Sequence, residues 1–238
     1  MSRSRRRRAV RRPLAAARAA LDASALATPR RAVPALVFVG LVARLYGLGA
    51  RSMHFDEARV GYWTLRYLET GYYAYRPIVH GPFLELATAP VLDALGPSDF
   101  AVRLLPALLG ACLPLAALGF RDALDDAETV ALAGFLAVNP LLLLFSRFFR
   151  ADVPLATFAF GAVALGYRGF RTGRRRDLIA AGPLAGLALT TKENALVYLL
   201  CVAGAAGVAL AVLRLRGRRR GGRVDPGTTA AAREPRGP

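Results

Sequence analysis

The chain has 238 residues, 55% of them hydrophobic, yet it carries 33 Lys+Arg against 16 Asp+Glu, a net charge of +17. Ordinary soluble domains do not combine high apolar content with so large a net charge. Ten arginines fall in residues 1–31, five in 168–177 and eight in 214–238, with apolar stretches between them. This bracketing argues against a nucleic-acid binder, which spreads basic residues over one folded face among aromatics, and identifies a polytopic membrane protein.

Residues 1–32 read as a basic cytosolic arm lying on anionic headgroups. Arg11-Arg12 resembles a twin-arginine signal, but the arginine-broken stretch after it lacks an apolar core, so no cleaved signal is expected. The first span runs from Val33 to Ala50, with Pro34 in its first turn and Arg44 either snorkelling to the interface or facing a polar cavity. Residues 51–102 form an outer loop. Within it Val60, Trp63, Thr64, Tyr67 and Leu68 keep helical spacing, five tyrosines lie between Tyr62 and Tyr75, and Gly71 stops the helix.

Residues 82–95 reach only ~21 Å as a helix, short of a ~30 Å hydrocarbon core, and read as a second interfacial helix. If that piece does not cross, spans at 103–120, 129–146, 153–169, 178–191 and 195–213 leave every arginine cluster on the cytosolic side, as the positive-inside rule requires. Gly182-Pro183 predicts a tilted, broken or recessed fifth span, and Asp122, Asp125, Asp126 and Glu128 form a cytosolic turn. The expected fold is all-α: a transmembrane bundle of about six spans with an outer loop holding two interfacial helices. Residues 214–238 read as a basic, disordered cytosolic tail. Cys112 and Cys201 lie in apolar runs and read as small core residues, with no disulfide or metal spacing.

With this topology three polar clusters share the outer face: His54, Asp56 and Glu57 with His80; Arg147, Arg150 and Asp152; and Lys192, Glu193 and Asn194. Charge at the membrane boundary marks function. Each cluster also has a plainer reading. Asp56 suits a helix N-cap, Arg150 and Asp152 an interfacial ion pair, Lys192-Glu193 a neutralising pair at a helix end, and His80 before Gly81-Pro82 a turn. Neighbouring helical residues point about 100° apart, so Asp56 and Glu57 do different jobs.

A span followed by His54-Phe55-Asp56-Glu57-Ala58, then Tyr75-Arg76-Pro77 and His80-Gly81-Pro82-Phe83, resembles the GT-C membrane glycosyltransferases. Arg103-Leu104-Leu105-Pro106, Phe149-Arg150-Ala151-Asp152 and Thr191-Lys192-Glu193-Asn194-Ala195 resemble the protein O-mannosyltransferase-like branch, close to archaeal proteins linked to N-glycosylation and lipid-sugar flipping. The resemblance spans residues 33–213. It implies a polyprenyl-phosphate-linked sugar donor used on the outer face, and membrane lipids as surroundings. Asp56 would be the catalytic carboxylate. His54, Glu57, His80, Arg150, Asp152, Lys192 and Glu193 would bind substrate, Arg150 and Lys192 at the lipid phosphate. Some such enzymes use a divalent metal, for which Asp56, Glu57 and His80 offer donors, and others use none. Members are longer, so the resemblance leaves three readings: an N-terminal portion of the enzyme, a truncated product, or a shortened relative working with a partner. The alternatives are a flippase or flippase-associated protein recognising the same lipid-sugar with glycosylation-pathway partners, and a structural membrane subunit.

Overall fold

The computed structural model describes residues 28–77 and 79–221, so most of the basic arm and residues 222–238 of the tail lie outside the described residues. The described fold is helical: α1 (Pro29–Leu45), α2 (Phe55–Thr70), α3 (Pro82–Leu95), α4 (Asp99–Cys112) continuing as a 3-10 helix (Leu113–Phe120), α5 (Asp126–Val138), α6 (Pro140–Ser146), α7 (Asp152–Thr172), α8 (Arg175–Thr191) and α9 (Asn194–Gly221). Residues up to Ala195 form one compact unit, and Leu196 onward a second that consists, where described, of the rest of α9.

Among the described residues, three helical stretches are long and apolar enough to cross a membrane: Asp99–Phe120, Asp152–Thr172 and Asn194–Leu215. The bent pair α5–α6 makes a fourth if it counts as one span. Helices α1 and α8, read as the first and fifth of about six spans, have 17 residues each, extend about 25 Å and fall just short of that length. Helix α1 begins four residues before the expected span and stops at Leu45, so Tyr46–Ala50 lie outside it. Helix α3 covers Pro82–Leu95, the stretch read as interfacial, and does not qualify as a span. Pro183 is accommodated inside a continuous α8.

Local chemistry sets the helix ends. Gly71, at φ 66°, closes α2 in the left-handed conformation that glycine adopts cheaply. Its N-cap is His54 rather than Asp56. The His54 ring nitrogen accepts from the Asp56 N–H, and the Glu57 carboxylate accepts from the His54 N–H. Asp56 therefore sits inside the first turn, where the helix dipole favours its charge. Asp125 and Glu128 form the equivalent box at the head of α5.

The break between α5 and α6 bends the chain by 46°. Pro140 has no N–H to continue the ladder, and the Asn139 side chain accepts from the amides of Leu141 and Leu142 to start the next helix. Arg44 answers this break. It is fully buried rather than snorkelling, and its Nη1 donates to the carbonyls of Gly40 and Ala137 at 2.9 Å each. Gly110 makes room for it, since a Cβ there would fall 3.0 Å from Arg44 Nε and 2.7 Å from Ser146 Cβ.

Beneath the loop that carries α2, Val60, Val79, Leu84, Leu92, Ala101, Val102, Phe149 and Ala151 form the buried cluster supporting the polar residues above. Cys112 and Cys201 are exposed, contrary to the core reading. A membrane helix is apolar on its lipid-facing side as well, so apolarity does not predict burial against protein.

Candidate functional site

The site is assembled from four short segments. The first turn of α2 carries Asp56 and Glu57. Residues Arg147–Ala151 link α6 to α7, which opens with Asp152. Lys192 and Glu193 lie between α8 and α9. The fourth segment, from Tyr72 to Gly81, packs onto the end of α8: the Gly81 N–H donates to the Thr191 carbonyl at 3.3 Å, and a Cβ on Gly81 would stand 2.1 Å from the Thr190 oxygen. His80 turns the chain there with φ 71°, a conformation non-glycine residues rarely hold.

Glu57 is fully buried. Arg103 Nε and Nη2 donate to its two oxygens at 2.8 and 3.1 Å, and Arg51 Nη2 donates at 2.8 Å. The backbone amides of His54 and Phe149 complete the shell at 2.9 Å each. Burial alone would raise this acid's pKa, but the Arg103 bond, the two amides and Arg51 outweigh it and bring it down to about 2. Arg103 also donates to the carbonyls of Leu48 and Arg51. One carboxylate thus ties α2, α4, the end of the first helical stretch and the 147–151 link together. Every acceptor direction of Glu57 is taken within the protein.

Asp56, next in the chain, faces the other way and is about one-third exposed. Arg150 Nη1 lies 2.8 Å from Asp56 Oδ2, and its Nε lies 3.1 Å from Asp152 Oδ2. Lys192 Nζ reaches Asp152 Oδ1 at 2.7 Å. Asp56, Arg150, Asp152 and Lys192 therefore form an alternating row from three sequence-distant segments. Arg150 is not merely an interfacial partner for Asp152, and Lys192 pairs across to α7 rather than with Glu193.

Glu193 instead accepts from the Tyr75 hydroxyl and lies 3.0 Å from His80 Nδ1. Desolvation opposes its charge, but the Tyr75 hydrogen bond and His80 hold its pKa below the usual carboxylate value. His54 remains at its capping position, edge-on to Phe148 and 3.8 Å from Asp56. Arg147 stays outside the row and donates to the Tyr46 and Gly47 carbonyls.

Asp56, Val60, Pro77, Val79, His80, Arg150, Ala151 and Asp152 enclose a cavity of about 200 Å³. A larger cavity of about 350 Å³ lies among α4, the 3-10 helix, α7 and α8. Its walls are almost wholly apolar, and the charged residue at its edge, Arg168, is already held twice by Asp177. That cavity is larger than the one beside Asp56, but of these two the smaller one offers polar chemistry. Among the described residues no group of three or more His, Cys, Asp or Glu side chains gathers to hold a metal ion. Glu57 is enclosed by arginines and Asp56 is paired with Arg150, so the donors expected for a metal do not form a ligand set.

The model of the family described as dolichyl-phosphate-mannose-protein mannosyltransferase matches residues 77–219, three-fifths of the chain. The chain belongs to this family. No curated protein and no solved structure matches it. Membership makes this mannosyltransferase-family chain an integral membrane protein of glycosyltransferase type. The matched segment holds Arg103, Arg150, Asp152, Lys192 and Glu193 but begins after Asp56 and Glu57, so the part played by α2 rests on geometry. Three participants escaped the reading of the sequence as site residues: Arg103 and Arg51, the side-chain partners of Glu57, and Tyr75, which donates to Glu193. Arg103 left a signal, being an arginine within an apolar helix, where an unpaired charge is expensive.

Proposed function

We propose that this chain acts on a polyprenyl-phosphate-linked sugar at the outer face of the cell membrane, as a GT-C glycosyltransferase of the protein O-mannosyltransferase-like branch near the archaeal flippase-associated proteins. The observation that carries the proposal is the alternating row Asp56–Arg150–Asp152–Lys192, of which Asp56, Arg150 and Asp152 line the 200 Å³ cavity. A phosphate needs cations that are positioned and still partly open to it. Arg150 and Lys192 are held in place by carboxylates yet retain free N–H groups.

The roles follow from the chemistry. Asp56 accepts the proton of the acceptor hydroxyl as its oxygen bonds to the anomeric carbon. The bond from that carbon to the phosphate oxygen breaks, and its electron pair leaves on the lipid phosphate, stabilised by Arg150 and Lys192. Asp152 spaces the two cations. His80, Glu193 and Tyr75 anchor the loop that closes the cavity. Glu57, whose acceptors are already occupied, is a positioning residue: it fixes the turn that presents Asp56 and the amide of Phe149, next to Arg150.

Asp56→Asn is expected to lower sugar transfer by about 10²–10⁴-fold, measured with a lipid-linked sugar donor, while membrane insertion stays unchanged. Transfer at the parental rate would remove Asp56 from the mechanism. Translocation of the lipid-sugar without transfer, insensitive to Asp56 and lost on replacing Arg150 or Lys192, would favour the flippase reading.

Taking the 17-residue α1 and α8 to cross together with the four stretches above puts the arm, the 168–177 cluster and the tail in the cytosol, as the positive-inside rule requires. In a chain with Cys112 and Cys201 replaced by serine, Arg174→Cys should resist a membrane-impermeant thiol reagent added outside intact cells and react after lysis. Labelling before lysis reverses the orientation.

A further inference from the structure

On the other side of the 147–151 link from the candidate site lies a second polar-mouthed cavity, of about 360 Å³. Its walls are apolar, from Ala43 on α1 and Pro140, Leu143 and Leu144 on α6, and two arginines, Arg51 and Arg147, stand with Phe148 at its lining. Arg51 lies 3.9 Å above the Phe148 ring, which fixes its guanidinium without consuming all its donors. Its carboxylate partner Glu57 is shared with Arg103, which also lies 3.9 Å from Asp99, so the charge left without a carboxylate at this mouth is that of Arg147. Arg147 is held only by the carbonyls of Tyr46 and Gly47, through one nitrogen. The mouth therefore carries uncompensated positive charge with N–H groups directed by backbone contacts.

The surface leading away from this mouth is hydrocarbon. Val39 and Val42 on α1 are 51% exposed each, and Leu141 and Leu144 on α6 are 65% and 51% exposed. An occupant must offer an anion to Arg147 and Arg51 and an apolar chain to the groove between α1 and α6. We propose that this cavity binds an anionic membrane phospholipid, its phosphate at Arg147 and Arg51 and one acyl chain along the groove. Charge complementarity selects the headgroup, because planar guanidinium groups bind phosphate oxygens in pairs. The membrane setting supplies the chain at high local concentration. This site shares no residue with the Asp56 row and stands whether or not that row catalyses sugar transfer.

The test uses the full chain in nanodiscs of phosphatidylcholine containing a minority of phosphatidylglycerol, with retained lipid counted by native mass spectrometry. The arginine-rich termini contribute equally to every form, so the difference between parent and variant is the quantity read. One phosphatidylglycerol is expected to be retained at least tenfold better by the parent than by Arg147→Gln. Leu144→Trp, which fills the groove but leaves both arginines, should lose the same lipid and supports the test if Arg147→Gln does not fold. Parental retention in Leu144→Trp overturns the proposal. So does equal competition for the site by inorganic phosphate, which would make it an anion site with no use for the chain.

Discussion

Glu57 and Asp56 are neighbours in sequence and both meet arginine, yet they belong to different kinds of site. Glu57 is fully buried and saturated by two arginines and two amides. Asp56 is about one-third exposed and shares Arg150 with Asp152. In the first case the charge is locked into the scaffold, where losing one partner strands the other. In the second the pair is partly solvated, and a ligand can compete for it. An ion pair thus reports function only once its burial and spare bonding capacity are known. The more strongly bonded carboxylate of the two is the less available for chemistry.

The contrast breaks most visibly on stability. Glu57→Ala strands the Arg103 guanidinium in the interior and should cost about 3–5 kcal/mol, read as a large loss of thermal stability in detergent. Asp56→Ala should cost less than about 1 kcal/mol in the same assay. Equal losses would erase the distinction between brace and row.

Acid titration sharpens it next. The Glu57 pKa is about 2 in the folded chain against an ordinary 4.5. The folded value is the depressed one, so the stabilisation is complete above pH 4.5 and disappears as pH falls towards 2. It amounts to about 3 kcal/mol. Unfolding measured between pH 7 and pH 3 should steepen below pH 4.5 in the parent, and that part of the slope should be missing in Glu57→Gln.

The smallest effect tests the row. Lys192→Gln keeps length and hydrogen bonding but removes a cation that is 12% exposed beside Asp152. It should raise the KM for the lipid-linked donor about tenfold, with little change in thermal stability. A stability loss as large as that of Glu57→Ala would make Lys192 part of the brace.

Much of this was legible from residue order alone. Helical periodicity and the glycine at position 71 placed α2, because amphipathic spacing and left-handed caps are local properties. Helix α3 was legible for the same reason, down to Pro82 and Leu95. The three charged clusters stood out because charge at the end of an apolar run is costly. Three things were hidden. The cap of α2 fell to His54 because a ring nitrogen can replace the more usual carboxylate, and propensity ranks histidine low there. Arg44 reads in the sequence as snorkelling or facing a polar cavity, although its partner is a carbonyl near a proline break 93 residues away. The cysteines were assigned to a core because apolar sequence looks alike on its protein-facing and lipid-facing sides.

Sequence alone therefore determined the helical class, the membrane character and the residues carrying charge at the helix ends, since these depend on composition and on neighbours a few positions apart. It also implied that Asp56 and Glu57 diverge, because adjacent side chains on a helix cannot share a direction. Only the tertiary structure decided which went inward. Arg103 lies 46 residues away and Phe149 a further 46, and no local pattern links them to Glu57. Arg103, reaching from α4, and the amide of Phe149 in the 147–151 link enclose one carboxylate among its partners. The other is left beside Arg150, where a bound phosphate would have to compete.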